Sequence, residues 1–332
     1  MHFEMTMLLA VVMLPAGLAI LIKGADFLVD GSVALAERIG ISPMVIGLTI
    51  VAMGTSAPEV ASSVTLALQG LGDGAIGNVY GSNIANLFLI GGVCAVIRPI
   101  SVKREVLYRE MPIMVVVAVL LYPILMDMHL GRLESVLLLI LFAGMIYWTI
   151  VAGVNEKKAN IASSDMPTPD ILEQKAPASK SLPMNVLFVV LGLIGLAVGA
   201  KMTVDSSVFL GRKAGMSEAV IGLTIIAIGT SLPELMTCLV AALKGHDDLS
   251  IGNLVGSNIF NTLLVIGAAG VVKPFDIIDK GLVGLDYWVM IIFSAVFLVV
   301  AFVHRRINKV WGALFAGVYL WYLISKMFIH QT

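Results

Sequence analysis

The chain has 332 residues, of which 59% are hydrophobic and only 13% are charged. A soluble domain carries about a quarter charged residues, so this composition excludes a soluble globular protein and indicates a polytopic membrane protein. The net charge of −1 says nothing about partners, and beyond the lipid bilayer we expect no nucleic acid and no obligate protein partner.

Apolar segments are long enough for ten membrane-spanning helices, since one span needs about 20 mostly apolar residues. In chain order they lie near residues 6–34, 42–68, 74–97, 107–127, 132–152, 184–210, 216–243, 250–272, 286–303 and 309–328. The first segment lacks a positively charged leader, so we interpret it as a helix and not as a signal peptide.

Two polar segments occur twice, at a constant spacing of 175 residues. GLTIVAMGTSAPE at 47–59 matches GLTIIAIGTSLPE at 222–234 in 10 of 13 positions, and IGNVYGSNIAN at 76–86 matches IGNLVGSNIFN at 251–261 in 8 of 11. The chain is therefore an internal duplication whose most similar parts are its most polar ones. Acidic sequence preserved at membrane depth in both copies indicates a cation pathway.

A polar stretch from Gly153 to Pro183, with four prolines and mixed charges, separates the first five spans from the last five. It is too poor in apolar residues to form a core and is predicted to be a linker. The domains are a first five-helix repeat over 1–152, the linker over 153–183 and a second five-helix repeat over 184–332. Because five is odd, the second copy enters the membrane from the opposite side, which predicts an all-α membrane protein of ten transmembrane helices in two inverted repeats.

Lys and Arg in the loops predict the orientation of the chain. Thirteen lie on the side of the linker and six on the other side. The linker is therefore predicted to be cytoplasmic and both termini to be outside. The small size of the chain favours a bacterial or archaeal protein in the plasma or inner membrane.

The duplicated segments predict a broken helix in each repeat. Gly54 weakens the second span, and Pro58 removes one backbone donor and blocks the carbonyl of Gly54. Carbonyls freed around Ala52 and Met53 are then expected to need a ligand, for which a dehydrated cation is suitable. The seventh span repeats the arrangement at Gly229, Pro233, Ala227 and Ile228.

Two carboxylates follow the breaks, Glu59 in the first copy and Glu234 in the second. Hydroxyl groups next to them come from Thr55, Ser56, Thr230 and Ser231. Ligands made only of oxygen suit hard cations such as Ca²⁺, and the lack of nearby His or Cys argues against zinc or copper. Inverted copies would bring the breaks face to face near the midplane, where both Glu residues can share one ion.

A second interpretation of Ser56 and Glu59 is a helix capping box, S-x-x-E, which has the same spacing. The two interpretations are compatible, because a helix that begins inside the membrane must be capped. On the third span Asn78, Ser82 and Asn86 share one helical face, as do Asn253, Ser257 and Asn261 on the eighth. Ligation and interhelical packing are equally good explanations for Ser82, Asn86, Ser257 and Asn261; packing is the better one for Asn78 and Asn253.

GTSAPE with GSNIAN, repeated as GTSLPE with GSNIFN, resembles the two alpha repeats of the calcium/cation antiporter superfamily, in its sodium/calcium exchanger branch. The resemblance covers nearly the whole chain and implies a ten-helix fold that exchanges Na⁺ for Ca²⁺ by alternating access. By this resemblance the ion ligands fall on Glu59, Glu234, Thr55, Ser56, Thr230, Ser231, Ala52, Ala227, Ser82, Asn86, Ser257 and Asn261. Some relatives have Asp where this chain has Asn261, so a third carboxylate is missing and the case for potassium cotransport is weaker.

The predicted function is therefore a secondary active antiporter, with Ca²⁺ and Na⁺ as transported ions and without a cofactor. Competition for one acidic site is enough to couple opposite fluxes. Proton/calcium antiport is the alternative, because protons also neutralise buried carboxylates. An ion channel fits broken, inverted helices less well, and an intramembrane protease would need a Ser-His, aspartate or metal constellation that the sequence lacks, so an enzyme is not expected.

Overall fold

The computed structural model describes residues 6–163, 181–216, 221, 225 and 227–329. Nearly all of these residues are helical. In the first half the segments are α1 Met7–Ile39, α2 Pro43–Ile46, α3 Ala52–Thr55, α4 Ala57–Leu68, α5 Gly72–Ile84, α6 Gly91–Ile97, β1 Ile100–Ser101, α7 Met111–Leu125, β2 His129–Leu130 and α8 Arg132–Ser163. In the second half they are α9 Leu182–Lys213, α10 Ala227–Thr230, α11 Leu232–Leu243, α12 Asp247–Phe260, α13 Ile266–Val272, β3 Phe275–Asp276, α14 Lys280–Val283, α15 Leu285–His304, β4 Arg306–Ile307 and α16 Lys309–Ile329.

Short π-helical segments join several of these helices into longer spans. They are Gly47–Val51, Ala85–Ile90, Val106–Glu110 and Asn261–Val265. Within the described ranges, seven helices are long and apolar enough to cross a membrane, and the bent pair Pro43–Thr55 and Ala57–Leu68 makes an eighth span. The chain is thus a mostly helical, multi-pass membrane protein.

The structure bears on the predicted bounds of the seventh and fifth spans. Residues 217–220, 222–224 and 226 of the predicted seventh span lie outside the described residues, and the part that follows is the short apolar helix α11. Helix α8 continues to Ser163, past the predicted end of the fifth span at 152. Ala, Glu and Lys after Gly153 are strong helix formers, which explains why a polar sequence prolongs the helix.

Helices α1 and α9 pack against each other along almost their whole length. Glycines spaced seven residues apart on α1 allow this contact: a Cβ added at Gly17 would lie 2.9 Å from the Thr203 nitrogen, and one at Gly24 would lie 2.7 Å from the Leu196 nitrogen. Residues later in α1 contact residues earlier in α9, so the two helices are antiparallel. Small residues at the contact are what close packing of helices in a membrane requires.

Helices α5 and α12, which carry the polar motifs, lie in the middle of the bundle. All residues of α12 from Leu249 to Phe260 are buried, whereas only 17% of the most apolar stretch of α8 is buried. The bundle therefore places its polar helices inside and exposes its apolar helices, as a lipid solvent demands.

Two antiparallel strand pairs connect the halves. Strand β1 pairs with β4, and β2 pairs with β3. Next to the second pair, His129 Nδ1 lies 2.7 Å from Asp276 Oδ1, and this hydrogen bond raises the pKa of His129 above its ordinary value. Since β2 precedes the start of α8 and the linker follows its end, β2 and β3 lie at the face opposite to the linker.

Candidate cation site

Each half has the helix break that its Gly and Pro predict. Helix α3 ends at Thr55 and α4 begins at Ala57, with a bend of 43° between the two parts of the span. In the second half Ser231 separates α10 from α11. The second residue of the new helix is the proline in both halves, where its missing N–H costs no intrahelical bond. Both breaks are thus confirmed.

The carbonyl groups before the first break differ from the expectation. The Ala52 carbonyl accepts a hydrogen bond from the Ser56 N–H at 2.9 Å and lies 3.4 Å from the Thr55 hydroxyl. The expectation that this carbonyl has no partner is therefore wrong, because the helical bond from Ser56 persists across the bend. A carbonyl oxygen has two lone pairs, so it remains able to accept from, or bind, one more group.

The two breaks touch each other in the centre of the bundle. The Ser56 hydroxyl donates to Glu234 Oε1 at 3.3 Å, and the Thr55 hydroxyl donates to Asn253 Oδ1 at 3.3 Å. Glu59 lies in the first turn of α4, three residues after Ser56. Both Glu side chains are almost completely buried, with relative exposures of 1% and 0%. The two acidic groups thus lie in one buried cluster that residues of both halves form.

The same contacts decide the question of the capping box. Ser56 and Ser231 occupy the N-cap positions of α4 and α11, but neither side chain makes a capping hydrogen bond. The Ser56 hydroxyl is directed to the other half of the protein. The capping interpretation of this serine is therefore wrong for its side chain, although the helix does begin there.

Several buried oxygen atoms of the candidate ligands lack a hydrogen-bond partner within the part of the chain that the structure describes. They belong to both carboxylates and to hydroxyl and amide groups of the flanking segments: Glu59 Oε2, Glu234 Oε2, Ser231 Oγ, Ser257 Oγ, Asn86 Oδ1 and Asn261 Oδ1. Buried polar atoms without partners are rare and need an explanation. Six oxygens, two of them from carboxylates, are the kind of ligand set that Ca²⁺ takes.

The flanking helices change their winding at two of the candidate residues. Asn86 lies in the π-helical segment Ala85–Ile90, and Asn261 begins the segment Asn261–Val265. A π-helical turn widens a helix locally and often occurs at functional sites. Ser82 and Ser257 lie about one turn earlier, in α5 and α12, and both are buried.

The two asparagines assigned to packing behave differently from each other. Asn78 donates to the Ser63 hydroxyl at 2.9 Å and to the Glu59 carbonyl at 3.4 Å, which agrees with packing. Asn253 donates to Cys238 Sγ at 3.2 Å, but its oxygen accepts from Thr55. Sequence reasoning missed this contact with the cluster. The duplication contained the indication, because Asn253 lies on the same helical face as Ser257 and Asn261.

A cavity of about 390 Å³ leads to the cluster from one face of the bundle. Its wall follows α5 from Asp73 to Ser82 and includes Thr230 of α10. Asp279, close to strand β3, lines the same cavity, so the cavity opens at the face opposite to the linker.

The two alanines whose carbonyl groups are candidate ligands lie just before the helix breaks. Ala52 is completely buried, and Ala227 is the first residue of α10.

Comparison with known proteins finds relatives that match nearly the whole chain. The family described as sodium/calcium exchanger protein matches residues 9–151 and 184–328. CaxA of Alkalimonas amylolytica, named as an antiporter, is 40% identical over 95% of this chain and 98% of its own. Sodium/calcium exchanger MaX1 of Methanosarcina acetivorans is 30% identical over 94% of this chain and 97% of its own. A solved structure of the sodium-calcium exchanger NCX_Mj, soaked with zero Na⁺ and Ca²⁺, superimposes with a TM-score of 0.81 at 28% identity, covering 96% and 99% of the two chains.

Proposed function

The chain belongs to the sodium/calcium exchanger protein family, and from this premise we propose that it is a secondary active antiporter that exchanges Na⁺ for Ca²⁺ across the membrane. The exchange takes place at one acidic site shared by both halves. The observation that carries the proposal is the hydrogen bond from Ser56 to Glu234, because it joins the two helix breaks into one buried site.

The ion ligands in this proposal come from four spans, the second and third of each repeat. They are Glu59, Glu234, Thr55, Ser56, Thr230, Ser231, Ala52, Ala227, Ser82, Asn86, Ser257 and Asn261. The unpartnered oxygens of this set support the assignment, since a bound cation would satisfy them. The hydroxyl and amide oxygens are neutral ligands, so the two carboxylates supply the whole negative charge of the site.

Charge balance explains how one site couples two fluxes. Two carboxylates neutralise one Ca²⁺, and several Na⁺ ions would occupy the same oxygens, so that each kind of ion excludes the other. An empty site would leave two like charges together in a medium of low dielectric constant, which is unfavourable. The carrier therefore changes face only when it is loaded, and this requirement suppresses leak.

Access to the site alternates between the two faces in this mechanism. The fold that supports it consists of ten spans in two inverted repeats, 1–152 and 184–332, joined by the linker 153–183. The antiparallel packing of α1 and α9, which hold corresponding positions in the two halves, agrees with inversion. With the linker in the cytoplasm and both termini outside, the cavity beside Ser82 is the outward access route.

Ion flux into proteoliposomes tests the proposal. We expect an imposed Na⁺ gradient to drive uptake of radiolabelled Ca²⁺ at clamped pH, and we expect Glu234→Gln to reduce this uptake by at least about a hundredfold, since removing one charge of a buried set costs about 3–5 kcal/mol. Glu105→Gln, a change of the same kind at an exposed position, should transport normally. Full uptake by Glu234→Gln would contradict the shared acidic site.

Proton/calcium antiport is the second candidate. The unpartnered Oε2 atoms of Glu59 and Glu234 are available for protons as well as for Na⁺. The same vesicles distinguish the two mechanisms when Na⁺ and pH gradients are imposed separately. Uptake that follows only the pH gradient would show that protons, and not Na⁺, are exchanged for Ca²⁺. The proposed acidic site would be unaffected by this result.

A further inference from the structure

An ion pair that is not among the proposed ligands lines the access cavity. Asp286, in the first turn of α15, forms a salt bridge with Lys326 near the end of α16. Both side chains are mostly covered, with relative exposures of 10% for Asp286 and 19% for Lys326, and both line the cavity that leads to Ser82 and Thr230.

The other carboxylates of this cavity are already engaged with backbone groups. Asp73 accepts hydrogen bonds from the N–H groups of Ile278 and Asp279, at 2.8 and 3.3 Å, and Asp279 accepts from the Gly281 N–H at 2.7 Å. These bonds hold the loop between α13 and α14. Asp286 differs, because its carboxylate is paired with the ammonium group of Lys326. A lysine ammonium group is carried by a flexible four-carbon side chain.

A buried carboxylate is expensive without a counter-ion, so Asp286 needs a positive charge near it at all times. Lys326 supplies that charge when no ion is in the cavity. A cation that enters the cavity meets the same carboxylate and competes with the ammonium group for it. Carboxylates in a narrow cleft also raise the local concentration of cations, and an ammonium group of the protein itself lowers it.

We propose that Asp286 is a waiting position for cations in the access route and that Lys326 limits their entry by competing for it. This role rests on the proposed antiport function, because it concerns the ions that reach the central site. Asp286 and Lys326 are thus specificity-determining residues of the route and not ligands of the central site. They act only on ions that enter from the face of the membrane at which the cavity opens.

The electrostatic origin of the effect fixes its dependence on ionic charge. In a given potential a divalent ion has twice the energy of a monovalent ion, so the factor by which a variant changes the KM for Ca²⁺ should be the square of the factor for Na⁺. At low ionic strength we expect Lys326→Gln to lower the KM for Ca²⁺ on the cavity side by about tenfold and the KM for Na⁺ by about threefold. Asp286→Asn should raise the KM for Ca²⁺ by about tenfold and the KM for Na⁺ by about threefold.

Flux measurements with ions varied on each face of vesicles of one orientation test this. We expect the KM to change on the cavity side alone, with the maximal rate kept, and the double variant Asp286→Asn with Lys326→Gln to return close to the original KM. Asp276→Asn and Lys280→Gln are matched controls, because both residues are exposed on the same face outside the cavity, and neither should change the KM.

Chemical restoration of the charge tests the proposal within one folded protein. Lys326→Cys should show the low KM of Lys326→Gln, and attachment of an aminoethyl group through a disulfide should restore the high KM; a neutral ethyl group should not. Cys94 and Cys238 are buried and give little background. Equal changes of KM on both faces, equal factors for Ca²⁺ and Na⁺, or no difference between the two reagents would overturn the proposal. Absence of exchange by the unmodified protein would instead refute the proposed function.

Discussion

Asn261 is a buried residue whose side chain lacks hydrogen-bond partners. Neither its oxygen nor its nitrogen has one among the described residues, and its exposure is 0%. An unpartnered buried polar group costs about 1–3 kcal/mol. We therefore expect Asn261→Leu to raise the free energy of unfolding of the ion-free protein by about this amount, and to weaken the rise in Tm that Ca²⁺ produces. Thermal unfolding in detergent, with and without Ca²⁺, measures both effects.

Asn83 provides the control for this experiment. It is almost equally buried, and its Oδ1 also has no partner among the described residues, but its amide nitrogen donates to the Thr262 hydroxyl at 3.1 Å. Asn83→Leu should therefore lower the Tm of the ion-free protein, since it leaves that neighbour without its donor. A lower Tm for Asn261→Leu would assign Asn261 to packing and remove it from the proposed ligands.

Single residues of the cluster were predictable to different degrees. Glu59 and Glu234 stand out in the sequence because a charge inside an apolar span is expensive and occurs in both copies. The role of Ser56 was ambiguous, because a capping serine and a serine that faces an ion site have the same spacing to the following Glu. Only the tertiary contact of Ser56 with Glu234 shows that the side chain does not cap its own helix.

Helices and strands show a similar division. The breaks before Ala57 and Leu232 follow from the covalent chemistry of Gly and Pro, so the sequence alone predicts them. The π-helical segments at Asn86 and Asn261 have no local sequence signal comparable to that of Gly and Pro. The four strands among the described residues have two residues each and pair loops that are far apart in the sequence, so local sequence patterns could not predict them.

The contact between α1 and α9 gives a prediction about helix packing. A Cβ added at Gly192 would lie 2.5 Å from the backbone nitrogen of Leu28, so any larger residue must push the two helices apart. Gly192→Val should lower the stability by about 1–3 kcal/mol or more, the usual cost of overpacking, and should reduce transport. Thermal unfolding and Ca²⁺ uptake by the purified variant measure the two effects.

Gly144 of α8 is the matched control for this substitution. A Cβ at that position would meet no heavy atom within 4 Å in the described part of the protein. Gly144→Val should therefore leave both the Tm and the uptake nearly unchanged. Equal losses in the two variants would show that valine is harmful in any of these helices, and that the contact of α1 with α9 is not the cause.

At the level of the whole molecule, the described residues form the same type of contact between the halves at both faces. Arg98 donates to the Leu243 carbonyl at 3.3 Å, and Lys273 donates to the Leu68 carbonyl at 3.0 Å. Both the donors and the acceptors are separated by 175 residues, the spacing of the duplicated motifs. Each half thus holds the end of the other half's broken span in the same way, which is the relation expected of inverted copies.

Labelling of single cysteines tests the proposed orientation of these two faces. The native cysteines, Cys94 and Cys238, are buried and should not react with a membrane-impermeant maleimide. Leu71 is 52% exposed at the face of the cavity, and Glu105 is exposed at the face of the linker. Leu71→Cys should therefore react in intact cells, and Glu105→Cys only after the membrane is opened. The reverse result would turn the proposed orientation around while keeping the inverted fold, whereas reaction of both variants in intact cells would place both faces outside and contradict the membrane crossing between them.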